Sequence, residues 1–149
     1  MDTVSRSKRS EIMSKVSCKD TKPEIIVRKA LFSAGFRYRK NVKDLLGKPD
    51  VVLPKYKTVI FVHGCFWHGH KDCEASKLPT SNVEYWTRKI SSNIARDSRN
   101  IESLRAKGWN VVIIWECELK MYNRNSRMQQ LIEQIRDAEY NHTIAFWHP

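Results

Sequence analysis

Apolar positions along the chain recur with two different periods. Thr21-Lys22-Pro23-Glu24 has a capping-box pattern with Pro near the first helical position. Ile25, Ile26, Ala30 and Leu31 follow at helical spacing, and the pattern stops near Gly35. Gly47-Lys48-Pro49 precedes a strand, Asp50-Val51-Val52-Leu53; Pro54-Lys55-Tyr56-Lys57 reads as a turn and Thr58-Val59-Ile60-Phe61-Val62 as the returning strand. A second capping-box pattern, Ser81-Asn82-Val83-Glu84, opens a long helix. Its stripe is Val83, Trp86, Ile90, Ile94, Ile101 and Leu104, and Gly108 closes it. Trp109 to Trp115 predicts another strand, and Met128, Leu131, Ile132 and Ile135 mark a last helix. Helix, hairpin, helix, strand, helix is the order of an α/β or α+β domain with a mixed sheet flanked by helices.

Length and composition leave this reading intact. A chain of 149 residues with 41% apolar and 29% charged residues suits one domain. Folding should bury roughly two thirds of its extended-chain surface. The single domain is expected over 21–149, after a basic, polar arm over 1–20 that orders on a partner. The run Val111 to Trp115 is far too short to span a bilayer, and the N-terminus has no apolar signal core. The expectation is a cytoplasmic, intracellular protein without a membrane partner.

Charge changes the picture. Lys and Arg number 27 against 16 Asp and Glu, a net +11. Such a surplus favours a polyanion through counterion release and steering, and nucleic acid fits better than a membrane because no basic amphipathic anchor stands out. A soluble protein that is simply basic is the alternative.

The run His63-Gly-Cys-Phe-Trp-His-Gly-His-Lys-Asp-Cys73 concentrates three of the five histidines and two of the four cysteines. Cys65, His70 and Cys73 lie within nine residues, and Cys117 follows the buried-type strand ending at Trp115. Three thiolates and an imidazole make a closed tetrahedral zinc site of the structural kind. On spacing alone His68 could replace His70, and unrelated core thiols are the alternative. Such an ion can contribute on the order of 10 kcal/mol of apparent folding free energy.

His63 and His68 then have no ligand role. A hairpin register pairing Leu53 with Thr58 carries Asp50 and His63 to the same sheet edge. A carboxylate and imidazoles there, in a basic protein, suit phosphodiester hydrolysis, with Asp50 on Mg²⁺ and a histidine moving a proton. Glu24 could orient the base or simply serve its capping box, and Asp50 could be a turn residue after Lys-Pro. Asp97 falls inside the apolar stripe of the long helix, so its carboxylate needs a partner: an Arg, a histidine or a backbone donor. We take it as a supporting residue. Phe66-Trp67 on a loop is poorly placed for a core and suits a wedge between base pairs. Trp86 could join it, although periodicity alone favours a core position for Trp86.

Together the run from His63 to Cys73, the upstream Gly47-Lys-Pro-Asp50, Arg96-Asp97 within Asn-Ile-Ala-Arg-Asp-Ser-Arg-Asn, and Gly108-Trp-Asn-Val-Val-Ile-Ile-Trp-Glu-Cys-Glu-Leu119 resemble the very short patch repair endonucleases. So does the stretch from Ser5-Arg6-Ser7 and Met13 through Glu24, and the likeness covers roughly residues 5 to 119. The resemblance implies a restriction-endonuclease-like core and a strand-specific, Mg²⁺-dependent nick 5′ of the T in T:G mismatches left by 5-methylcytosine deamination. It implies that Asp50 and the main-chain carbonyl of Val62 hold Mg²⁺, His68 is the general base supported by Glu24, and His63 assists at the scissile phosphate. It further implies a structural Zn²⁺ on Cys65, His70, Cys73 and Cys117, and intercalation by Phe66, Trp67 and Trp86.

Two features depart from the family pattern. Val62 has no hydroxyl where Thr is familiar, so only its carbonyl can serve the metal. Two residues separate His70 from Cys73 where some members have one. The expected partners are double-stranded DNA bearing a T:G mismatch and general mismatch-repair proteins, with the enzyme a monomer acting at the nucleoid. Two rivals differ in function: a zinc-stabilised DNA-binding protein without catalysis, and a sequence-specific nuclease indifferent to mismatches.

Overall fold

In the computed structural model, which describes residues 5, 7–8, 20–40 and 42–147 (140–147 by their backbone), three strands form one sheet in the order β1-β2-β3. The arm expected over 1–20 lies almost wholly outside the described residues. The central strand β2 (Thr58–His63) pairs antiparallel with β1 (Val51–Leu53) and parallel with β3 (Asn110–Trp115), so the sheet is mixed, as the element order predicts. Arg39 and Val52 exchange backbone hydrogen bonds of 2.8 Å and extend the β1 edge by one bridge that no periodicity announced.

Strand alternation divides the core into two layers. Val51, Leu53, Ile60, Val112 and Ile114 face one side; Val52, Val59, Phe61 and Val111 face the other. Helix α1 (Lys22–Ser33) covers the first side with Val27 and Leu31, and α3 (Met121–Trp147) joins it with Met128, Leu131 and Ile135. The opposite side is covered by α2 (Val83–Ala106), through Ile101 and Leu104. A sheet sealed on both faces accounts for strands that read as continuous apolar runs. No helix among the described residues is long and apolar enough to cross a membrane.

Helix ends follow the glycines. At Gly35 (φ 93°) Phe36 N–H donates to Leu31 O and Gly35 N–H to Phe32 O; Gly108 (φ 88°) repeats the pattern with Trp109 on Leu104 and Gly108 on Arg105. Both are paired helix-end bonds that need a left-handed residue. Helix starts depart from expectation. The N-cap of α2 is Asn82 in the left-handed region (φ 55°), without a side-chain cap, so Ser81 to Glu84 is not a capping box. At α1 Thr21 makes no side-chain cap bond to the backbone, and its hydroxyl donates to Glu24 instead.

The stripe of α2 is also only half core. Ile90 and Leu104 are buried, but Val83 is 50% and Ile94 42% exposed. Twenty-four helical residues span about 36 Å and six strand residues about 20 Å, so the helix outruns the sheet. Its first half packs on the His/Cys loop instead.

Candidate active site and metal centre

Because β1 runs against β2, Asp50 at the entrance of β1 and His63 at the exit of β2 share one end of the sheet. Leu53 stands opposite Thr58, the register read from the turn. β3 runs with β2 and sets Trp115 beside His63, with Cys117 just beyond. Every chemically distinctive residue of the chain's midsection therefore converges at the carboxyl end of two parallel strands, where α/β folds leave a crevice.

Asp50 is held at three points. Its Oδ2 accepts the Val62 N–H at 2.6 Å, its own N–H donates to Ile60 O at 3.1 Å, and its carbonyl accepts from Arg28 Nη2 at 3.2 Å. Burial pushes its carboxyl up to about 6; the Val62 N–H opposes the rise, nearby Glu24 adds to it and Arg28 opposes it. An undercompensated, half-buried carboxylate with an oxygen to spare is a hard donor suited to a divalent cation.

His68 and Asp97 meet across 29 positions of sequence. His68 Nδ1 donates to Asp97 Oδ2 at 2.6 Å, which leaves Nε2 of the neutral ring with a free lone pair. The partner that Asp97 needed in its apolar stripe is thus a histidine. His63 is 5% exposed and lies face to face with His68, 3.8 Å between centroids at 4°. Burial, then the neighbouring His68, pushes His63 down to about 4 against a smaller pull from Asp97, so it is neutral at physiological pH.

Glu24 sits elsewhere than a brace for His68. Its carboxylate accepts from the Asp20 N–H at 3.0 Å, the Thr21 hydroxyl at 3.1 Å and Arg28 at 3.2 Å. The carboxylate bonded to His68 is Asp97.

A second group forms beside the first. One donor atom each from Cys65, His70, Cys73 and Cys117 lies within 4.8 Å of the others, and Cys117 Sγ is 3.4 Å from His70 Nδ1. A tetrahedral ion with metal–sulfur bonds near 2.3 Å sets its donors about 3.5–3.8 Å apart, so the group fits one. His70, not His68, completes it, and its ring stacks on Trp115 at 4.0 Å. Burial pushes the Cys65 thiol up to about 12 and raises Cys117. For Cys73 burial works upward too, but backbone donors at Ala75 and Ser76 and the two other thiols bring it below the ordinary value. Three thiols this close, one buried and two partly so, ionise together only around a cation.

The loop joining the two groups is pressed onto α2. A Cβ on Gly69 (φ +59°) would lie 2.6 Å from Ile94 Cδ1 and 2.9 Å from Ile90 Cγ2, and Asn93 Nδ2 donates to Trp67 O at 2.9 Å. Phe66, Trp67 and Trp86 meet with centroids 5.2–5.8 Å apart, all edge to face, and Tyr85 continues the cluster against Trp86 at 5.1 Å. Trp67 is 37% and Tyr85 56% exposed. Trp86 packs with these rings and not in either core layer, which corrects the position its periodicity favoured.

Sequence reasoning passed over Arg28 and Tyr85. The signal for Arg28 was available: Glu24, Val27, Arg28 and Leu31 share one buried helical face, and a charged pair at i,i+4 on such a face marks a polar junction.

Residues 1–75 match the family described as DNA mismatch endonuclease Vsr. The type II nicking enzyme V.NmeAIP of Neisseria meningitidis is 50% identical over 140 residues, 92% of this chain and 98% of the relative. The type II nicking enzyme V.XorIIP of Xanthomonas oryzae pv. oryzae is 48% identical over 118 residues, 79% of this chain and 86% of that one. The DNA mismatch endonuclease Vsr of Escherichia coli is 40% identical over 119 residues, 80% and 76% respectively.

Proposed function

The chain belongs to the DNA mismatch endonuclease Vsr family of DNA-cleaving hydrolases, and from that premise we propose that it nicks one strand of duplex DNA 5′ of the T in a T:G mismatch. The observation that carries the reading is the pairing of His68 with Asp97 beside a half-buried Asp50, a base and a cation-binding carboxylate at one sheet end. The names of its relatives, a mismatch endonuclease and several nicking enzymes, support cleavage of one strand. The fold is read as a restriction-endonuclease-like core, one domain over 21–149.

Asp50, with the Val62 carbonyl, holds Mg²⁺, which when bound stabilises the negative charge that builds on the phosphate and leaving oxygen. His68 takes the proton of the attacking water on Nε2. Asp97 keeps the ring in that tautomer and offsets the positive charge the ring acquires. His63, buried and neutral, holds the His68 ring plane by stacking and faces the scissile phosphate without adding a competing charge. Cys65, His70, Cys73 and Cys117 hold a structural Zn²⁺ that ties the loop to the end of β3. Phe66, Trp67 and Trp86 form the wedge, and a wobble pair yields to it more cheaply than a matched pair.

Single-turnover nicking of labelled T:G and T:A duplexes, tiled over candidate methylation contexts with and without Mg²⁺, tests the reading. Cleavage of the T strand of T:G duplexes alone, and only with Mg²⁺, is expected. Equal cleavage of T:A duplexes would make the protein a mismatch-independent nickase; binding with no cut in any context would remove the catalytic roles.

A further inference from the structure

Four charged or carboxylate-bearing residues meet where α1 touches the start of β1. Arg28 is 5% exposed, and its guanidinium serves three acceptors: Nη1 donates to Asp20 Oδ1 at 2.6 Å, while Nη2 is shared between Glu24 Oε2 and the Asp50 carbonyl, both at 3.2 Å. Glu24 is also 5% exposed. A buried carboxylate is therefore held a few ångströms from the residue read as the Mg²⁺ ligand, and one guanidinium nitrogen stands between the two. Lys40 reaches only the outer member, Asp20, at 3.3 Å, so it cannot replace Arg28 at Glu24.

We infer that Arg28 is a positioning residue that keeps Glu24 bound to α1 and out of the metal's reach, so that Asp50 faces the ion without a second carboxylate from α1. This rests on Asp50 as metal ligand. A buried Glu24 without its cation must protonate or find another positive charge. The nearest on offer is the divalent ion at Asp50, which a second carboxylate would bind more tightly and draw away from the phosphate. Arg28 also grips the Asp50 main chain, so the carboxylate stays aligned with the Val62 N–H while the ion comes and goes. The effect of Arg28 is thus opposite in sign on metal affinity and on turnover: it weakens the first and raises the second. A residue that only stabilised the fold would move both in the same direction.

Mn²⁺ binding by the full-length, zinc-loaded chain without DNA, followed by electron paramagnetic resonance of the free ion, separates these outcomes. Arg28→Met should bind Mn²⁺ about threefold more tightly or better, since an added carboxylate charge acts at short range in a partly desolvated site. At saturating Mg²⁺ and DNA it should nick about tenfold more slowly. The double variant Glu24→Gln/Arg28→Met should return Mn²⁺ affinity to near the starting value. If Arg28→Met does not fold, Glu24→Gln alone decides: the guanidinium, now uncompensated beside Asp50, should weaken Mn²⁺ about threefold. Unchanged or weaker Mn²⁺ affinity in folded Arg28→Met, or unchanged affinity in Glu24→Gln, overturns the inference. Asp50→Asn in parallel reports on the underlying reading: retained Mn²⁺ binding there would move the metal away from Asp50 and take the role of Arg28 with it.

Discussion

Cys65, His70, Cys73 and Cys117 turn four soft donors toward one point, whereas His63 and His68, from the same loop, lie with their ring faces together. Proximity does not tell the two groups apart, because donors of His63, His68 and Asp97 also fall within 4.8 Å of one another. Direction does. Imidazole lone pairs lie in the ring plane, so two rings stacked at 4° present parallel lone pairs that cannot meet on a single ion. One of them is already committed, since His68 Nδ1 carries the proton it gives to Asp97. The first group can spend all four of its donors on one ion; the second keeps an unshared nitrogen on His68. The run from His63 to Cys73 supplies three donors of the first group and both rings of the second; Cys117 from beyond β3 and Asp97 from α2 complete them.

The sharpest way to break this contrast is at Asp50. Asp50→Asn should lower the single-turnover nicking rate about a thousandfold, several kcal/mol of lost cation-based stabilisation, while the metal content of the Cys/His group stays unchanged. Loss of that metal along with activity would mean the two groups are one unit. Next in size, Cys117→Ser should strip the bound metal and lower Tm by about 10 °C or more. The fraction that remains folded should nick within about threefold of the unaltered enzyme. A far larger loss at full folding would give the closed group a part in the chemistry. The smallest effect concerns pH without added Mg²⁺. Burial raises Asp50 to about 6 from an ordinary 3.8, so the folded chain favours the protonated carboxyl. Its contribution to stability is complete below about 4 and is lost as pH rises through 6, on the order of 1–3 kcal/mol. Denaturant titrations of Asp50→Asn and the unaltered chain should therefore diverge over that window, with the Asn variant the more stable at pH 7. Parallel curves would mean that Asp50 is fully compensated without a cation.

The features legible in the sequence were those set by neighbours in the chain. The hairpin register follows from the length of Pro54 to Lys57, and the ends of both helices follow from Gly35 and Gly108. The closed group was legible because three thiols and an imidazole have few other uses together, though spacing could not choose His70 over His68. What failed depended on distant parts. Asn82, in a left-handed conformation, takes the cap position expected of Ser81, and the exposed half of the α2 stripe reflects a helix longer than the sheet beneath it. Asp97 was visibly out of place, but its partner lies 29 residues away on a loop. Arg28 drew no reading, although its i,i+4 spacing from Glu24 on the apolar face of the first helix was there in the sequence.

Gly69 gives the loop a stiff flank and a loose one. From Gly64 to His70 the chain is bonded to itself and seated on Ile90 and Ile94 with no room for a methyl group. Lys71 and Asp72 are exposed, and Asp72 already turns through a left-handed conformation (φ 56°). Insertions and deletions can therefore be absorbed between His70 and Cys73 without moving His68 or the aromatic cluster, and a residue more or less there is a neutral change of length. The same change one step earlier would shift the aromatic cluster against α2. A designer wishing to attach a tag or a recognition segment beside this loop can use the exposed pair after His70.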